Sequence, residues 1–190
     1  MKPVSQLRKA VVLVALVAIL PVAGSCRSRT DKTAGPVVLT FGNITGVPNG
    51  TISVSGSEGT GVIIGTFTLQ SVVKDPMPTT TPSNLEDVEV TSYQVTYKRR
   101  DSGTRVPPPL IASFPVEVPV NGTGVINNLP VVRQDQLLSP PLGDLINPGH
   151  DTETGTAIIV LDAMVTFFGQ TISGDRIQSP TATFTFEFVP

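Results

Sequence analysis

The chain has 190 residues, of which 39% are hydrophobic and 15% are charged, with one cysteine, one histidine and no tryptophan. A single cysteine excludes an internal disulfide. The single histidine, His150, excludes a zinc site built from several histidines. These counts remove most of the side chains on which catalytic centres are usually built, and they favour a non-catalytic protein over an enzyme.

The first 25 residues differ in character from the rest of the chain. Lys2, Arg8 and Lys9 form a basic start, and an uncharged, mostly apolar run follows over residues 10–23. This run is shorter than the roughly 20 residues that span the hydrocarbon core of a bilayer. A basic start, an apolar run and small closing residues therefore predict a signal peptide over residues 1–25, and not a transmembrane helix or a buried helix.

Cys26, the only cysteine, directly follows Val22-Ala23-Gly24-Ser25. This stretch resembles the lipobox of bacterial lipoproteins, with Ala23 where the family usually has leucine. The resemblance implies that the signal peptide is cut after Ser25 and that Cys26 carries a diacylglyceryl thioether and an acylated N-terminus. The alternative is an ordinary signal peptide followed by a free cysteine, because Ala23 and Ser25 also fit an A-x-A-like cleavage site.

A lipid-modified Cys26 implies a protein that is anchored to a membrane and does not span it. One acyl chain binds a membrane only reversibly, whereas two or more palmitate-type chains anchor a protein stably. In the lipoprotein family the residue after the cysteine influences sorting, and Arg27 is not the aspartate associated with the inner membrane. Residues 27–35 carry no large apolar side chain, so residues 26–35 are predicted to be a lipidated cysteine and a short flexible tether.

The charge of the chain argues against a nucleic-acid partner. Removal of residues 1–25 takes away three of the 13 basic residues and none of the 15 acidic ones, which leaves a net charge of about −5. Binding to nucleic acid calls for a basic patch. The basic cluster Lys98-Arg99-Arg100, with Arg105 close by, is interrupted by Asp101 and is interpreted as the solvated end of a hairpin.

The sequence from Pro36 to the C-terminus has the pattern of an all-β protein. Apolar residues alternate with Thr, Ser and Glu in short runs, and Gly, Pro, Asn and Asp cluster between the runs. The predicted strands are Val37–Phe41, Thr51–Ser55, Gly61–Val73, Val88–Arg99, Ile111–Val120, Gly124–Val132, Thr156–Phe168 and Ile177–Val189. Eight strands predict a single immunoglobulin-like β-sandwich over residues 36–190. A helical turn or two is expected only between Gln134 and Ile146.

Asn121-Gly122 predicts a hairpin between the fifth and sixth strands. This dipeptide is typical of a type I′ turn, in which both central residues have positive φ. The turn would place Val118 opposite Val125, with the even-numbered residues of the fifth strand on its apolar face. The backbone groups of Pro115, Glu117 and Pro119 would then point away from the partner strand. Because proline has no N–H to donate, the fifth strand is predicted to lie at a sheet edge.

The last two predicted strands supply much of the expected core. Alternate residues from Ile159 to Phe167 are apolar on one strand, and alternate residues from Ala182 to Phe188 are apolar on the other. A turn near residues 173–175 brings odd residues of the first opposite even residues of the second. Each buried Phe or Leu contributes about 1.5 to 3 kcal/mol, so this pair is expected to dominate stability.

The search for chemistry yields few candidates. Asp162 interrupts an apolar strand, and alternation predicts that it is half-exposed on the face opposite the core. The loop with Asp144, Asp151 and Glu153, which also holds Asn147 and His150, gathers the oxygen ligands that suit Ca²⁺. Its spacing matches no EF-hand loop, so these three acids are weak metal candidates, and a solvated acidic loop is the favoured interpretation.

The body of the chain is also similar to lipoproteins of environmental bacteria that are expected to be β-sandwiches. The residues that carry this likeness are Tyr93–Tyr97 leading to Arg100-Asp101, and Val165–Gly169 followed by Gly174-Asp175-Arg176. The likeness covers roughly the last hundred residues; it implies a fold and an envelope location, but no activity.

The sequence thus predicts a lipid-anchored protein of a bacterial cell envelope, held in the outer membrane, with a non-catalytic binding or structural role. An envelope protein or a glycan is the expected partner, and no cofactor is expected. The alternatives are an envelope hydrolase that uses acidic residues and a Ca²⁺-binding β-sandwich module.

Overall fold

The computed structural model describes residues 35–56, 61–75 and 82–190. The predictions for the signal peptide, for Cys26 and for the tether up to residue 34 lie outside these described residues. Within them, no helix has the length and apolar character needed to cross a membrane.

The described part of the chain is built mainly from strands. These are β1 (Val37–Thr45), β2 (Thr51–Ser53), β3 (Val62–Val73), β4 (Val88–Arg99), β5 (Leu110–Val118), β6 (Thr123–Val132), β7 (Ile159–Thr171), β8 (Arg176–Gln178) and β9 (Ala182–Val189). Helix α1 (Gln134–Leu137) and two 3₁₀ helices, Asn84–Glu86 and Leu142–Leu145, interrupt them. The all-β prediction is confirmed, and so are the helical turns expected between residues 134 and 146.

The strands form two sheets that pack face to face. One sheet has the order β1-β3-β6, and the other has the order β2-β9-β7-β4-β5, with β8 paired to β7. Between them, Phe67 of the first sheet and Phe167 of the second bring their ring centroids to 5.1 Å. Tyr93 lies 5.9 Å from the same Phe167 ring. The predicted sandwich is therefore confirmed, while a closer likeness to immunoglobulin domains stays a prediction.

Strands β7 and β9 pair in the register that alternation predicts. Leu161 lies opposite Phe186, and Ala163 lies opposite Phe184. Phe186 is 1% exposed and belongs to the core. The single strand predicted over Ile177–Val189 is instead two strands, because the chain leaves the β7 ladder at Ser179-Pro180, where proline cannot donate a hydrogen bond.

The predicted hairpin between β5 and β6 is wrong. Strand β5 pairs with β4, so that Val118 lies opposite Val88, and β6 pairs with β3 in the other sheet. Of the turn pair, only Asn121 has a positive φ, at 54°, and the Gly122 N–H donates to the Pro119 carbonyl at 2.8 Å. Asn121-Gly122 marks a local turn, but it does not determine the partner strands of β5 and β6. Here the chain crosses from one sheet to the other at this turn.

The position of β5 nevertheless agrees with the sequence. It is the last strand in the order of its sheet, so the edge prediction is confirmed with β4 as the partner. Its even-numbered residues Ala112, Phe114 and Val116 pack against the core, as expected. Pro115, Glu117 and Pro119 favour an edge position for β5 whichever strand is its partner. A proline has no N–H to donate, and this is tolerated only on the outer side of an edge strand.

Candidate functional site

The acidic loop, which begins within the 3₁₀ helix Leu142–Leu145, lies against the irregular connection between β4 and β5. The two segments meet through charged side chains, and this group is called the ionic cluster below. Its members are Arg99, Asp101, Arg105, Asp144, Asp151 and Glu153. The structure therefore brings together the three predicted metal candidates and two arginines of the basic cluster.

Arg99 and Asp151 form the buried centre of the ionic cluster. The Arg99 Nη2 lies 2.9 Å from Asp151 Oδ2, with the two side chains 2% and 0% exposed. Arg99 also holds Asp101 with two parallel bonds, Nε to Oδ1 at 2.6 Å and Nη2 to Oδ2 at 2.9 Å. This two-pronged geometry is the strong form of an arginine–carboxylate contact.

The interpretation of Arg99 as part of a solvated hairpin end is wrong. Arg99 is the last residue of β4, where Val95 and Tyr97 already face the core. Because side chains alternate along a strand, Arg99 continues the inward face. A buried guanidinium requires carboxylate partners, so an inward arginine was the signal from which buried acids could have been inferred.

Asp151 is held by more than Arg99. It accepts bonds from the Thr154 hydroxyl at 2.6 Å, the Thr154 N–H at 3.2 Å and the Glu153 N–H at 3.3 Å. Burial alone would raise the pKa of Asp151, but these donors and the guanidinium outweigh it and lower the pKa from 3.8 to about 2. Asp151 is therefore ionised at any physiological pH and serves as a fixed negative charge.

Asp101 joins the ionic cluster to strand β7. Its carboxylate accepts hydrogen bonds from the Gly103 N–H and the Val160 N–H, both at 3.0 Å. Burial opposes ionisation here too, yet Arg99 and these amides lower the pKa of Asp101. The pKa of Arg99 is raised, because Asp101 and Asp151 outweigh the effect of its own burial. The three groups thus stabilise one another in their charged forms.

Asp144 and Glu153 complete the ionic cluster at its outer side. Asp144 is 8% exposed; it accepts the Thr152 hydroxyl at 2.6 Å and meets Arg105 Nη1 at 3.4 Å. Glu153 is exposed and accepts the backbone N–H groups of Thr104 and Arg105 at 2.9 Å. The Thr104 hydroxyl also donates to Glu153. This bond, followed by those of the two amides, lowers the pKa of Glu153.

The donor set around these acids decides what they can do chemically. Their oxygens face guanidinium, hydroxyl and amide donors, so a cation would have to displace bonds that already exist. Across residues 35–56, 61–75 and 82–190 no group of three or more His, Cys, Asp or Glu side chains is arranged to hold a metal. Asn147 and His150 are exposed. The favoured interpretation as a solvated loop is wrong for Asp144 and Asp151, since both are buried.

Asp162 lies where alternation predicts, half-buried on the outer face of β7. Its Oδ2 is 3.2 Å from Arg100 Nε, and its Oδ1 accepts the Thr185 hydroxyl at 2.7 Å. The carboxylate is thus held by a cation just after the end of β4 and by a hydroxyl of β9, and not by a second acid. This is the environment of a surface ion pair, which adds little stability.

Two shallow depressions border the edge strand β5. One, of about 280 Å³, includes Pro115, Glu117 and Ile172 in its wall. The other, of about 250 Å³, lies at the opposite end of the strand between Ile111 and Arg133. The sequence could not indicate them, because Ile172 and Arg133 reach β5 only through the tertiary fold. Strand β5 thus combines a position at a sheet edge with a depression near each of its ends.

Comparison with known proteins adds no relative to this picture. No family model, no curated protein and no solved structure matches the chain. The functional evidence is therefore the ionic cluster, which is closed by protein donors, and the exposed edge of β5.

Proposed function

We propose that the protein is a lipid-anchored module of a bacterial cell envelope, held in the outer membrane through an acylated Cys26. The support is the lone cysteine at the end of an uncharged apolar run, with the small residues Gly24 and Ser25 on the side to be cut. Two or more acyl chains on that residue would anchor the chain stably. The β-sandwich would then be carried at the membrane surface on residues 26–35.

We further propose that the sandwich has a non-catalytic binding or structural role, with an envelope protein or a glycan as partner. The observation that supports a non-catalytic role is the ionic cluster, in which buried acids are paired with arginine and bonded to hydroxyl and amide donors. A carboxylate used as a general acid or base needs a pKa near the working pH, whereas the pKa of Asp151 is about 2. Such groups stabilise a loop and do not exchange protons at neutral pH.

The hydrolase alternative rests on Asp162 or on the acidic loop, whose acids belong to the ionic cluster. Arg100 and Thr185 occupy both oxygens of Asp162. Neither of the two depressions beside β5 includes this residue. No contact in the described part of the chain favours this alternative over the binding role.

The anchor is tested by expressing the full chain in a bacterial host and measuring the mass of its N-terminal peptide. The expected product begins at Cys26 and carries a diacylglyceryl group and an amide-linked acyl chain. The matched control is Cys26→Ser, which should give a soluble product or an uncut precursor, because the acyl acceptor is missing. An unmodified Cys26, or a chain that still begins at Met1, would contradict the proposal.

A further inference from the structure

The outer side of β5 has open backbone groups whose positions follow from the bonds of its neighbour. Backbone groups in an antiparallel strand point alternately to its two sides. The Arg100 N–H donates to the Val160 carbonyl of β7. The backbone groups of the even-numbered residues of β4, from Ser92 onward, therefore face β7, and those of the odd-numbered residues face β5. Tyr93 lies opposite Ala112. The backbone groups of Ala112 therefore bond inward to β4. The backbone N–H and C=O groups of Ile111 and Ser113 point away from β4, to the outer side of the sheet.

The other end of β5 shows the same alternation. The Ile172 N–H donates to the Asp87 carbonyl, so Asp87 faces β7 and Val88 faces β5. Val88 lies opposite Val118, which places the backbone of Glu117 on the outer side. By the same alternation the backbone of Pro115, two residues before Glu117, also lies on the outer side, and Pro115 has no N–H to donate.

The outward positions of β5 form an open window between two prolines. Ile111 and Ser113 each offer an N–H and a C=O, while Pro109 before them and Pro115 after them offer no N–H. The two prolines are equally distant from Ala112 along the chain. A pairing strand can therefore bond at two adjacent outward residues, and the open window is symmetric about Ala112.

A large apolar side chain stands at this window. Ile111 is 67% exposed, the largest fraction among the exposed large apolar residues of the described chain. Its neighbours on the same face, Ser113 and Pro115, are also exposed. An unpaired edge with an exposed isoleucine is a surface on which another strand can add.

We propose that this window pairs with the same window of a second copy, antiparallel, about a twofold axis at Ala112. In that register Ile111 of each copy lies opposite Ser113 of the other, and the two pairs exchange four backbone hydrogen bonds. The two isoleucines meet diagonally across the axis, at the separation of about 7 to 8 Å over which long side chains still interact. The contact is isologous, as in most dimers.

The second copy is favoured over an unrelated peptide because the edge is complementary to itself. The twofold register sets Pro109 opposite Pro115, so both residues without an N–H fall outside the bonded pairs. It also sets Glu117 of one copy beside Pro107 of the other, in the region where the exposed Arg133 borders the depression at Ile111. Arg133 is ion-paired with Asp135 of its own copy, so this region adds no like charge against Glu117. The two Glu117 side chains stay about 33 Å apart at 3.3 Å per residue and do not repel each other.

The contact is small, and its bonded part is limited to four hydrogen bonds. Interfaces of this size are weak between free molecules. Anchoring of both copies in one membrane would raise their effective concentration, a step that rests on the function proposed above. The pairing itself depends only on the geometry of β5.

Disulfide trapping tests the register. Ala112 residues of the two copies would form a non-hydrogen-bonded pair with Cα atoms about 4.5 Å apart, which is within the range that a disulfide spans. In membranes of cells that express the full chain, Ala112→Cys should give an oxidised dimer on a non-reducing gel. Glu117→Cys, on the same edge but far from the axis, is the matched control and should give at least tenfold less.

A second pair of variants tests the isoleucine contact. Ile111→Glu, introduced into the Ala112→Cys chain, should reduce trapping at least tenfold, because it sets two carboxylates against each other across the axis. Leu85→Glu, at another exposed apolar residue that is 59% exposed, should leave trapping unchanged. Ile111 and Leu85 are both solvent-facing, so the fold tolerates either change.

The unaltered chain separates this proposal from the anchor. Cys26 is the only cysteine of the unaltered chain, so a disulfide-linked dimer of that chain would show that the Cys26 thiol is free. That result would contradict the lipid anchor and would leave the pairing of β5 unaffected. Equal trapping of Ala112→Cys and Glu117→Cys, or a mixed disulfide from Ala112→Cys to a different protein, would overturn the twofold pairing.

Discussion

Replacement of Asp151 by alanine should destabilise the protein far more than a loop position usually does. Asp151 is 0% exposed and accepts bonds from Arg99, Glu153 and Thr154. The substitution removes the acceptor from the buried Arg99 guanidinium and from the part-buried donors of Glu153 and Thr154. A buried donor left without a partner costs about 1–3 kcal/mol. Loss of one member of a buried ion pair typically costs about 3–5 kcal/mol.

Asp101 moderates this cost, because it still neutralises Arg99 after Asp151 is removed. The expected loss is therefore about 3 kcal/mol, at the lower end of that range. A domain of this kind has a free energy of unfolding of about 5–15 kcal/mol. In a chain of this size the melting temperature should fall by about 6–12 °C.

The effect of Asp151 should also depend on pH in a defined direction. Its pKa is about 2 in the folded protein against 3.8 ordinarily, so the folded state is stabilised above pH 4 and loses that contribution as the pH falls towards 2. The shift corresponds to about 2 kcal/mol. Urea unfolding of the parent and of Asp151→Ala at pH 7 and pH 2 should show the difference between them shrinking by about that amount.

Asp135→Ala is the matched control, since Asp135 also pairs with an arginine but is 67% exposed. An exposed pair contributes about 0–1 kcal/mol, so this variant should unfold nearly as the parent does. A cost for Asp151→Ala as small as that of the control would refute the argument. It would mean that the loop is solvated, as its composition suggests.

Three other changes probe the rest of the molecule. Phe186→Ala should cost about 3–5 kcal/mol in urea unfolding, since Phe186 is 1% exposed; Thr183→Ala on the exposed face of the same strand should cost under about 0.5 kcal/mol. Gly169→Ala should lower the melting temperature, because a Cβ there would overlap the Glu89 carbonyl; an unchanged value would contradict that close approach. Gln136→Leu should speed hydrogen exchange at the amides of residues 104–106, the last ones before three prolines, because Gln136 Nε2 donates to the Pro108 carbonyl at 2.6 Å; exchange equal to that of the parent would contradict this role.

Alternation of apolar residues predicted the strands well because it depends on local geometry and burial alone. The pairing of β7 with β9 followed from it, since only one register sets both apolar faces together, as Leu161 opposite Phe186 shows. The partners of β5 could not be obtained in this way. Both of its neighbours along the chain have apolar faces, and Asn121-Gly122 fits a turn within a sheet as well as one between sheets.

The ionic cluster was missed because its two halves lie far apart in sequence. Composition made Arg99 and Asp151 look like members of two separate solvated charge groups, and nothing local links residues 52 positions apart. The alternation along β4 does predict the burial of Arg99, because it assigns Arg99 to the inward face of the strand. A charged residue on an inward face calls for a partner, although the pattern cannot say which acid supplies it.

The ionic cluster also explains how an irregular connection can present a sheet edge. Residues 100–109 have no regular structure, and Pro107, Pro108 and Pro109 exclude a continuous ladder there. The connection is instead held at separate points, by Asp101 on Arg99 and by Glu153 on the Thr104 and Arg105 amides, before Gln136 takes the Pro108 carbonyl. These bonds fix the chain up to Pro108, two residues before β5 begins. Asp101, Asp151 and Glu153 thus hold the connection that leads into the open edge of β5.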